Sequence, residues 1–330
     1  MADLSVTDTF FREQLQSRRR RLESAIASSK GAENLETLLS EVDAALARME
    51  TGGFGICEVC HEPVEAERLI ADPLVRFCLT HLTADQQTAL ERDLLLASQI
   101  QREMLPGQDL KFPGWEVFYH YRPLGLVSGD YCDVLTHEAR NGSLFFVLGD
   151  VSGKGVAASM LMAHLQAIFR VLFAAGLAVP DLVERAGSIF CESAMSPYFA
   201  TLVCGGAGAS GEIEICNAGH PAPLVLQGGK VTEVESTGVP LGLFCDGKYS
   251  ARKIRLDHGD TLFLYTDGLS EARDRSDVEY GESRLIEFAR GHHALAPGTL
   301  VSECLKDLSS FLSETPLTDD LTLMAIRRTA

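Results

Sequence analysis

Aspartates follow apolar, strand-like segments at several places in the second half of this chain. Asp150 ends LFFVLGD, Asp267 follows LFLYT and precedes a glycine, and Asp130 ends LVSGD. Asp319 and Asp320 stand together before LTLMAI. One such aspartate is typical of a turn, since Asp and Gly are common there. Their recurrence at strand ends instead predicts a site for Mg²⁺ or Mn²⁺, which prefer oxygen ligands.

The segment GDVSGKG around Asp150 has an alternative interpretation as a phosphate-binding loop. Such a loop needs four residues between its first glycine and a Gly-Lys pair, and then Ser or Thr. Here only three residues separate Gly149 from Gly153, and another glycine follows Lys154. The nucleotide-binding interpretation fails on both counts. In the metal-binding interpretation, the backbone carbonyl of Val151 becomes a further candidate ligand.

A second cluster of metal-binding residue types lies near the N-terminus, in CEVCHEPVEAERLIADPLVRFCLTH. Cys57 and Cys60 have two residues between them, and Cys78 and His81 repeat this spacing. Two such pairs at this separation are what tetrahedral zinc needs. His61 competes with His81, but it lies inside the first turn, which we expect to point it away. Four protein ligands would close the site, so the pattern predicts a structural zinc ion.

The periodicity of apolar residues divides the chain into a helical part and a strand-rich part. Residues 7–50 predict two helices joined by the turn SSKGAEN, and 83–106 predict one long helix with Thr83 and Gln86 as a capping box. From residue 115 onward, ten short strand-like segments alternate with four helical blocks. Glycine turns between the strands favour antiparallel pairing. The predicted fold class is α+β, a two-layer antiparallel sandwich flanked by helices.

Six segments of the strand-rich part resemble, in family order, the motif series of the metal-dependent PPM protein phosphatases, in their bacterial RsbU/SpoIIE branch. They are VSGDYCDV, GDVSGKGVAASMLMAHL, NAGHPAPLVL, GVPLGLF, LYTDGLSEA and DDLTLMAI, and LASQIQREMLP before them also fits. The resemblance covers residues 94–328 and implies two packed antiparallel sheets with two Mn²⁺ or Mg²⁺ ions at one edge. It also implies hydrolysis of phosphoserine or phosphothreonine by metal-activated water.

The same resemblance implies roles for individual residues. Asp150 would contact both ions, with the carbonyl of Val151 beside it. Asp267 and Asp319 would bind the second ion, and Asp320 is the alternative to Asp319 because only one of the pair can point inward. Asp130 would add a ligand or hold a metal-bound water. His220 in NAGHP is an auxiliary candidate that either donates a proton to the leaving group or holds the turn before Pro221.

Residues 7–82 resemble the DksA/TraR-type zinc-finger family, in which a helical hairpin leads into a zinc finger of this spacing. The segment METGGFGIC, residues 49–57, after a leucine-striped helix carries the resemblance. This chain has His81 where a fourth cysteine is usual in the family. The resemblance implies a module that senses a signal or contacts RNA polymerase.

Composition restricts the remaining function classes. The net charge of −17 argues against direct nucleic-acid binding, because the phosphate backbone attracts positive charge. The most apolar segment, residues 156–175, contains His164, Gln166 and Arg170, so no membrane span is expected. The sequence has no signal-peptide pattern, and we expect a cytoplasmic protein whose nine cysteines form no disulfide.

The sequence as a whole predicts a phosphoprotein phosphatase with three parts. These are a helical hairpin with a zinc finger at 1–82, a linker helix at 83–106 and a catalytic domain at 107–330. The resemblance implies a phosphorylated anti-sigma-factor antagonist as substrate and regulation through the N-terminal module. The apolar face of the linker helix either pairs with its copy in a homodimer or packs on the domain that follows, and the sequence leaves both open. The alternative is a non-catalytic interaction protein that binds RNA polymerase or another partner through its zinc finger.

Overall fold

The computed structural model describes residues 4–28, 33–82, 84–137, 143–193 and 198–330. The chain divides into two compact units, residues 1–93 and 94–330. The predicted domain limits after residues 82 and 106 lie on either side of this division and stay a prediction. Most of the predicted SSKGAEN turn and the predicted cap residue Thr83 lie outside the described residues.

The first unit is built from the two predicted helices and the zinc-finger segment. Its helices are α1 (Leu4–Ser28), α2 (Glu33–Thr51) and the short α3 (Ala66–Ala71). Leu15 of α1 packs with Val42 and Ala45 of α2, and all three are buried. Phe11 contacts Phe54 with ring centroids 5.5 Å apart. The leucine stripe of α2 therefore has its partner in α1, as an amphipathic helix requires.

The second unit contains two antiparallel sheets, which confirms the predicted fold class. The six-stranded sheet has the order β1-β2-β11-β10-β7-β8, and the five-stranded sheet has the order β3-β4-β5-β6-β9. The strands are β1 (Asp109–Phe112), β2 (Trp115–Arg122), β3 (Asp130–His137), β4 (Ser143–Val151), β5 (Ala200–Ala207), β6 (Glu212–Ala218), β7 (Leu224–Gln227), β8 (Lys230–Glu233), β9 (Arg252–Arg255), β10 (Thr261–Tyr265) and β11 (Leu321–Arg328).

Helices cover the outer faces of the sheets. The helices of this part of the chain are α5 (Gly155–Ala174), α6 (Val179–Ser193), the short α7 (Asp267–Ser270), α8 (Glu282–His292) and α9 (Pro297–Leu312). Helices α5 and α6 pack on the five-stranded sheet, and α8 and α9 pack on the six-stranded sheet. One apolar core lies between the sheets and one lies under each helical layer.

Helix α4 (Ala84–Met104) is the predicted linker helix, and it runs across the division between the two units. Within the second unit, Ser98 and Gln101 of α4 are buried, whereas Leu95, Leu96 and Ile100 are exposed. The part of α4 in the second unit therefore packs on that unit along one face and exposes apolar side chains along another.

One described helix, α5, has the length and apolar composition of a membrane span. Its residues Met162, Leu165 and Phe169 are buried in the core beneath the five-stranded sheet. A helix in the core of a globular unit is expected to be this apolar. Its place in the fold therefore accounts for its composition.

Three short elements and one disulfide differ from the sequence prediction. Strand β1 and the short helices α3 and α7 were not expected, since four to six residues carry little periodicity. The prediction that no disulfide forms was wrong, because Cys191 and Cys245 are joined by one. Their Cα atoms lie 5.4 Å apart although 54 positions separate them in the sequence, a proximity that only the fold creates.

Candidate functional site

The predicted site aspartates lie at one edge of the sandwich. Asp130 begins β3 and Asp150 lies near the end of β4, and the two are direct partners across this strand pair. Asp267 follows β10 after one intervening residue, Thr266. Asp319 and Asp320 directly precede β11. Strands β10 and β11 are antiparallel neighbours, so the end of one lies beside the start of the other. Each sheet thus contributes aspartates to the same edge.

Two threonines join the two sheets at this edge. The hydroxyls of Thr266 and Thr322 both donate to Oδ2 of Asp130, at 3.1 and 2.5 Å. Thr266 follows β10 and Thr322 lies in β11, whereas Asp130 belongs to the other sheet. All three residues are buried. These hydrogen bonds fix the separation of the sheets where the carboxylates gather.

The carboxylates repel one another electrostatically. Burial, and then the charge of Asp150, raises the pKa of Asp130 well above its ordinary value. Burial, followed by the charges of Asp267 and Asp319, raises the pKa of Asp150 to about 8. The pKa of Asp267 is raised by burial and then by Asp319. A cluster of carboxylates with mutually raised pKa values is the electrostatic environment that a divalent cation neutralises.

Hydrogen bonds distinguish the two adjacent aspartates. Oδ1 of Asp320 accepts from the backbone N–H of Leu124 at 2.6 Å, and Oδ2 accepts from that of Gly129 at 2.9 Å. Asp320 therefore holds the loop before β3 with both of its oxygens. The side chain of Asp319 is 40% exposed, and Lys154 Nζ lies 2.8 Å from its Oδ2. Of the pair, Asp319 is the one on the open side of the cluster.

The absence of a side chain at Gly129 keeps space open around two candidate ligand atoms. A Cβ atom on Gly129 would lie 2.8 Å from the carbonyl oxygen of Val151 and 3.3 Å from Oδ1 of Asp150. Gly268 has a similar role, because a Cβ there would overlap the carbonyl oxygen of Asp320. The glycines of SGD and TDG thus allow the close approach that this edge requires.

His220 lies in the interior of the second unit. Its side chain is buried, its Nδ1 lies 3.0 Å from the hydroxyl of Thr201, and its backbone N–H donates to Oδ1 of Asn217 at 2.8 Å. Burial lowers the pKa of His220 to about 3. A neutral, buried imidazole has no acidic proton to give near neutral pH. The geometry favours the second predicted role, which is to hold the turn.

In the first unit, the predicted zinc ligands are gathered. One ligand atom from each of Cys57, Cys60, Cys78 and His81 lies within 4.8 Å of all the others. The sulfurs of Cys60 and Cys78 are 3.8 Å apart, and tetrahedral zinc with Zn–S bonds of 2.3 Å places two sulfurs about 3.8 Å apart. His61 is not part of this cluster.

The zinc-type cluster is compact, and the aspartate cluster is wider. Within the ranges that the structure describes, the Cys/His group is the one set of three or more metal-ligating residues whose ligand atoms all lie this close together. Ions in a two-metal site are about 3.5–4 Å apart, so their carboxylates spread over a larger volume. The two clusters therefore differ in spacing as well as in ligand chemistry.

Sequence reasoning missed residues that hold the aspartates in place. Thr266 and Thr322 lie within the quoted motifs, but a threonine in a strand is usually read as a β-forming residue. Their signal was a hydroxyl residue one or two positions from an aspartate at a strand end. Lys154 was considered only for phosphate binding, and its ion pair with Asp319 joins positions far apart in the sequence.

Comparisons with known proteins agree with this geometry. Residues 140–329 match the family model described as Stage II sporulation protein E (SpoIIE), and residues 52–80 match the prokaryotic dksA/traR C4-type zinc finger. The chain is 26% identical to protein IcfG of Synechocystis, and the match covers 70% of this chain and 40% of that relative. It is 22% identical to phosphoserine phosphatase RsbU of Bacillus subtilis, over 73% of this chain and 72% of the relative.

Solved structures show the same fold. The SiaA-PP2C domain of Pseudomonas aeruginosa aligns with a TM-score of 0.64 at 21% identity, over 74% of this chain and 99% of that domain. The RsbU and RsbW domains of Rv1364c from Mycobacterium tuberculosis align with a TM-score of 0.57 at 29% identity, over 68% of this chain and 62% of that one.

Both predicted resemblances are thereby confirmed. The matches span only 40% of IcfG and 62% of the mycobacterial chain, so they do not cover all of what those proteins contain. The SpoIIE model, however, covers more than half of the present sequence and every predicted site aspartate except Asp130. The chain belongs to the SpoIIE family of PP2C-type phosphatase domains and carries a dksA/traR-type zinc-finger segment ahead of that domain.

Proposed function

We propose that this protein is a metal-dependent serine/threonine phosphoprotein phosphatase regulated through its N-terminal zinc-finger module. The observation that carries the proposal is the gathering of aspartates from both sheets at one edge of the sandwich. Their mutually raised pKa values and the space kept open by Gly129 fit a site for divalent cations.

We assign the ligand roles as follows. Asp150, the backbone carbonyl of Val151, Asp267 and Asp319 would hold two Mn²⁺ or Mg²⁺ ions, with Asp150 as the central ligand. Asp130 orients the cluster through its threonine bonds, and Asp320 holds the preceding loop instead of a metal. When bound, the ions supply the Lewis acidity that activates water and neutralises phosphate charge.

Lys154 has a place in this proposal at the open side of the cluster. Its ammonium contacts Oδ2 of Asp319 at 2.8 Å and donates to the carbonyl of Thr318 at 2.6 Å. Its side chain is 57% exposed. This half-exposed ammonium would attract a phosphate group that enters from solvent.

The four Cys and His residues of the first unit are assigned to one structural zinc ion. A hydrogen bond between Thr80 and Cys78, at 3.0 Å, lowers the pKa of the Cys78 thiol, and the thiolate is the form that binds zinc. Cys57 and Cys78 are buried with Val64 and Leu69, so the zinc ligands are continuous with the apolar core of this unit. Zinc binding would therefore stabilise the fold of the first unit.

The family relationship also supports a partner class. RsbU of Bacillus subtilis is named a phosphoserine phosphatase, and we propose a phosphorylated anti-sigma-factor antagonist as the substrate here. The protein would act in the cytoplasm, with no membrane or nucleic-acid partner. The zinc finger would sense a signal or contact RNA polymerase, and the exposed residues Leu95, Leu96 and Ile100 of α4 suit a homodimer through the linker helix.

The alternative is a non-catalytic interaction protein. A scaffold that had lost catalysis would have no need to keep its metal-binding carboxylates, whereas this chain has an aspartate at every position assigned to a carboxylate. That difference favours the enzyme.

We first predict the effect of removing the central carboxylate. Asp150→Asn should lower Mn²⁺-dependent hydrolysis of a phosphoserine peptide by at least about 100-fold, or ~2.7 kcal/mol in transition-state stabilisation. Asp257→Asn, at an exposed surface ion pair, is the matched control and should keep full activity. Wild-type activity that persists in a chelator, or an active Asp150→Asn variant, would exclude the proposed site.

A second prediction concerns pH and stability without metal. Because the pKa of Asp150 is about 8 in the folded protein and about 4 when unfolded, the folded state binds more protons between these values. Wild-type stability in chelator should therefore fall, relative to Asp150→Asn, as pH rises from 5 to 8. Adding Mn²⁺ at pH 8 should make the wild type more stable than Asp150→Asn. Thermal unfolding monitored by the single tryptophan, Trp115 of the second unit, measures this. Parallel curves for the two proteins would contradict it.

The third prediction separates the adjacent aspartates. Asp319→Asn should weaken Mn²⁺ binding in calorimetry and leave stability in chelator unchanged or higher, because it removes an exposed charge from a repelling cluster. Asp320→Asn should lower stability in chelator, because one of its two backbone partners, the N–H groups of Leu124 and Gly129, loses its acceptor oxygen. The reverse pattern would assign the ligand role to Asp320.

The fourth prediction tests the zinc ligands with two matched substitutions. His81→Asn should lower zinc affinity by at least about tenfold, because it removes one of four ligands. His61→Asn should keep the zinc, since His61 lies outside the cluster and asparagine tolerates its φ of 59°. Zinc content after dialysis against a weak chelator is the measurement. Zinc lost from His61→Asn but kept by His81→Asn would exchange the two roles.

A further inference from the structure

We propose that Gln101 is a positioning residue that couples helix α4 to the segment carrying Asp130, and thereby sets the metal affinity of the site. This inference rests on the proposed function. Gln101 lies in the quoted segment LASQIQREMLP, to whose residues the resemblance assigns no role. Gln101 is only 6% exposed, although it lies on a helix whose neighbouring residue Ile100 is 52% exposed. A buried glutamine at such a place needs partners for both its donor and its acceptor.

Both partners come from the backbone of a single residue. Nε2 of Gln101 donates to the carbonyl oxygen of Ser128 at 2.8 Å, and the N–H of Ser128 donates to Oε1 of Gln101 at 3.0 Å. The amide side chain thus completes a two-bond pair with one peptide segment. Such a pair fixes position and orientation together, because both bonds must keep their geometry at once.

The next bonds along the chain lead directly to the candidate metal site. The hydroxyl of Ser128 accepts from the N–H of Asp130 at 3.0 Å. Gly129 donates to Oδ2 of Asp320 at 2.9 Å, and its carbonyl accepts from the N–H of Val151 at 3.2 Å. The segment 128–130 is therefore held by Gln101 on one side and by residues of the aspartate cluster on the other.

A shift of this segment would reach the ligand atoms. The carbonyl of Gly129 is hydrogen-bonded at 3.2 Å to the N–H of Val151, whose own carbonyl is a candidate ligand, so Val151 would follow the segment. Asp130 would move with its neighbour and strain its bonds to Thr266 and Thr322. Close packing converts a small displacement of α4 into a displacement of these groups.

Two further hydrogen bonds of α4 lead to α5 instead of this segment. The carbonyl of Met104 accepts from Nε2 of Gln166 at 2.7 Å and from Arg170 at 3.3 Å, and these contacts hold the end of α4 to α5. They would survive a substitution at Gln101. Loss of the amide pair should therefore release the loop from the helix without releasing the helix from its unit.

The experiment uses the full-length protein and two glutamines of the same helix. Gln101→Met keeps the length of the side chain and removes both hydrogen bonds. Gln99→Met is the matched control, because Gln99 is exposed and its bond is to Glu103 on the same helix. Mn²⁺ affinity is measured by calorimetry, and kcat and KM for a phosphoserine peptide are measured across a series of Mn²⁺ concentrations.

We expect Gln101→Met to weaken Mn²⁺ binding by roughly tenfold, within the range for two buried partners left unsatisfied. Excess Mn²⁺ should restore kcat, and KM for the peptide should stay unchanged, whereas Gln99→Met should match wild type throughout. A lower unfolding temperature with unchanged Mn²⁺ affinity would overturn the proposal, because it would reduce Gln101 to a purely structural role.

If Gln101→Met does not fold, Gln101→Glu keeps the acceptor for the N–H of Ser128 and removes the donor. It should then show a smaller loss of Mn²⁺ affinity, and wild-type affinity in that variant would overturn the proposal. Failure of the proposed function has a separate signature, since wild-type protein itself would then neither bind Mn²⁺ nor hydrolyse the peptide.

Discussion

The whole second unit must hold negatively charged side chains close together against their own repulsion. Each of the clustered aspartates Asp130, Asp150 and Asp267 has its pKa raised by burial and by its neighbours, so without cations the cluster opposes folding. The fold resists this by fixing the carboxylates to rigid elements: strand ends, two threonine hydroxyls and the backbone of a tight loop. Divalent cations that bind here would neutralise these charges. Because the carboxylates are already held in place, binding would not have to order them.

The sandwich suits this task because each sheet supplies only part of the cluster. Asp130 and Asp150 are cross-strand partners in one sheet, and Asp267 and Asp319 lie at the ends of neighbouring strands in the other. The charges are divided between two separately stabilised layers, each with its own helical cover and apolar core. The two sheets share the apolar core between them, and at this edge the bonds from Thr266 and Thr322 to Asp130 also join them.

The sequence predicted the aspartates, the zinc ligands and the sandwich because each has a local signature: a strand followed by Asp and Gly, a repeated spacing of Cys and His, and many short apolar segments. What it could not predict depends on partners distant in the chain. Asp319 and Asp320 carry the same chemistry, and only the backbone N–H groups of Leu124 and Gly129 distinguish them. The disulfide between Cys191 and Cys245 escaped for the same reason, as did Gln101, whose partner lies 27 positions away.

The two metal sites differ in how they relate to the rest of the chain. In our proposal the zinc ligands form part of the core of a small unit, so the ion stabilises a fold that has little apolar interior of its own. The aspartate site lies at the edge of a larger unit with three apolar clusters of its own. A signal can therefore act on the second site without unfolding anything, provided that it moves a few atoms by a fraction of an ångström. The single helix that runs through both units is the element that can do this, and a buried amide pair is a suitable contact for it. Such a pair contributes a few kcal/mol at most, enough to change metal occupancy severalfold and too little to threaten the sandwich.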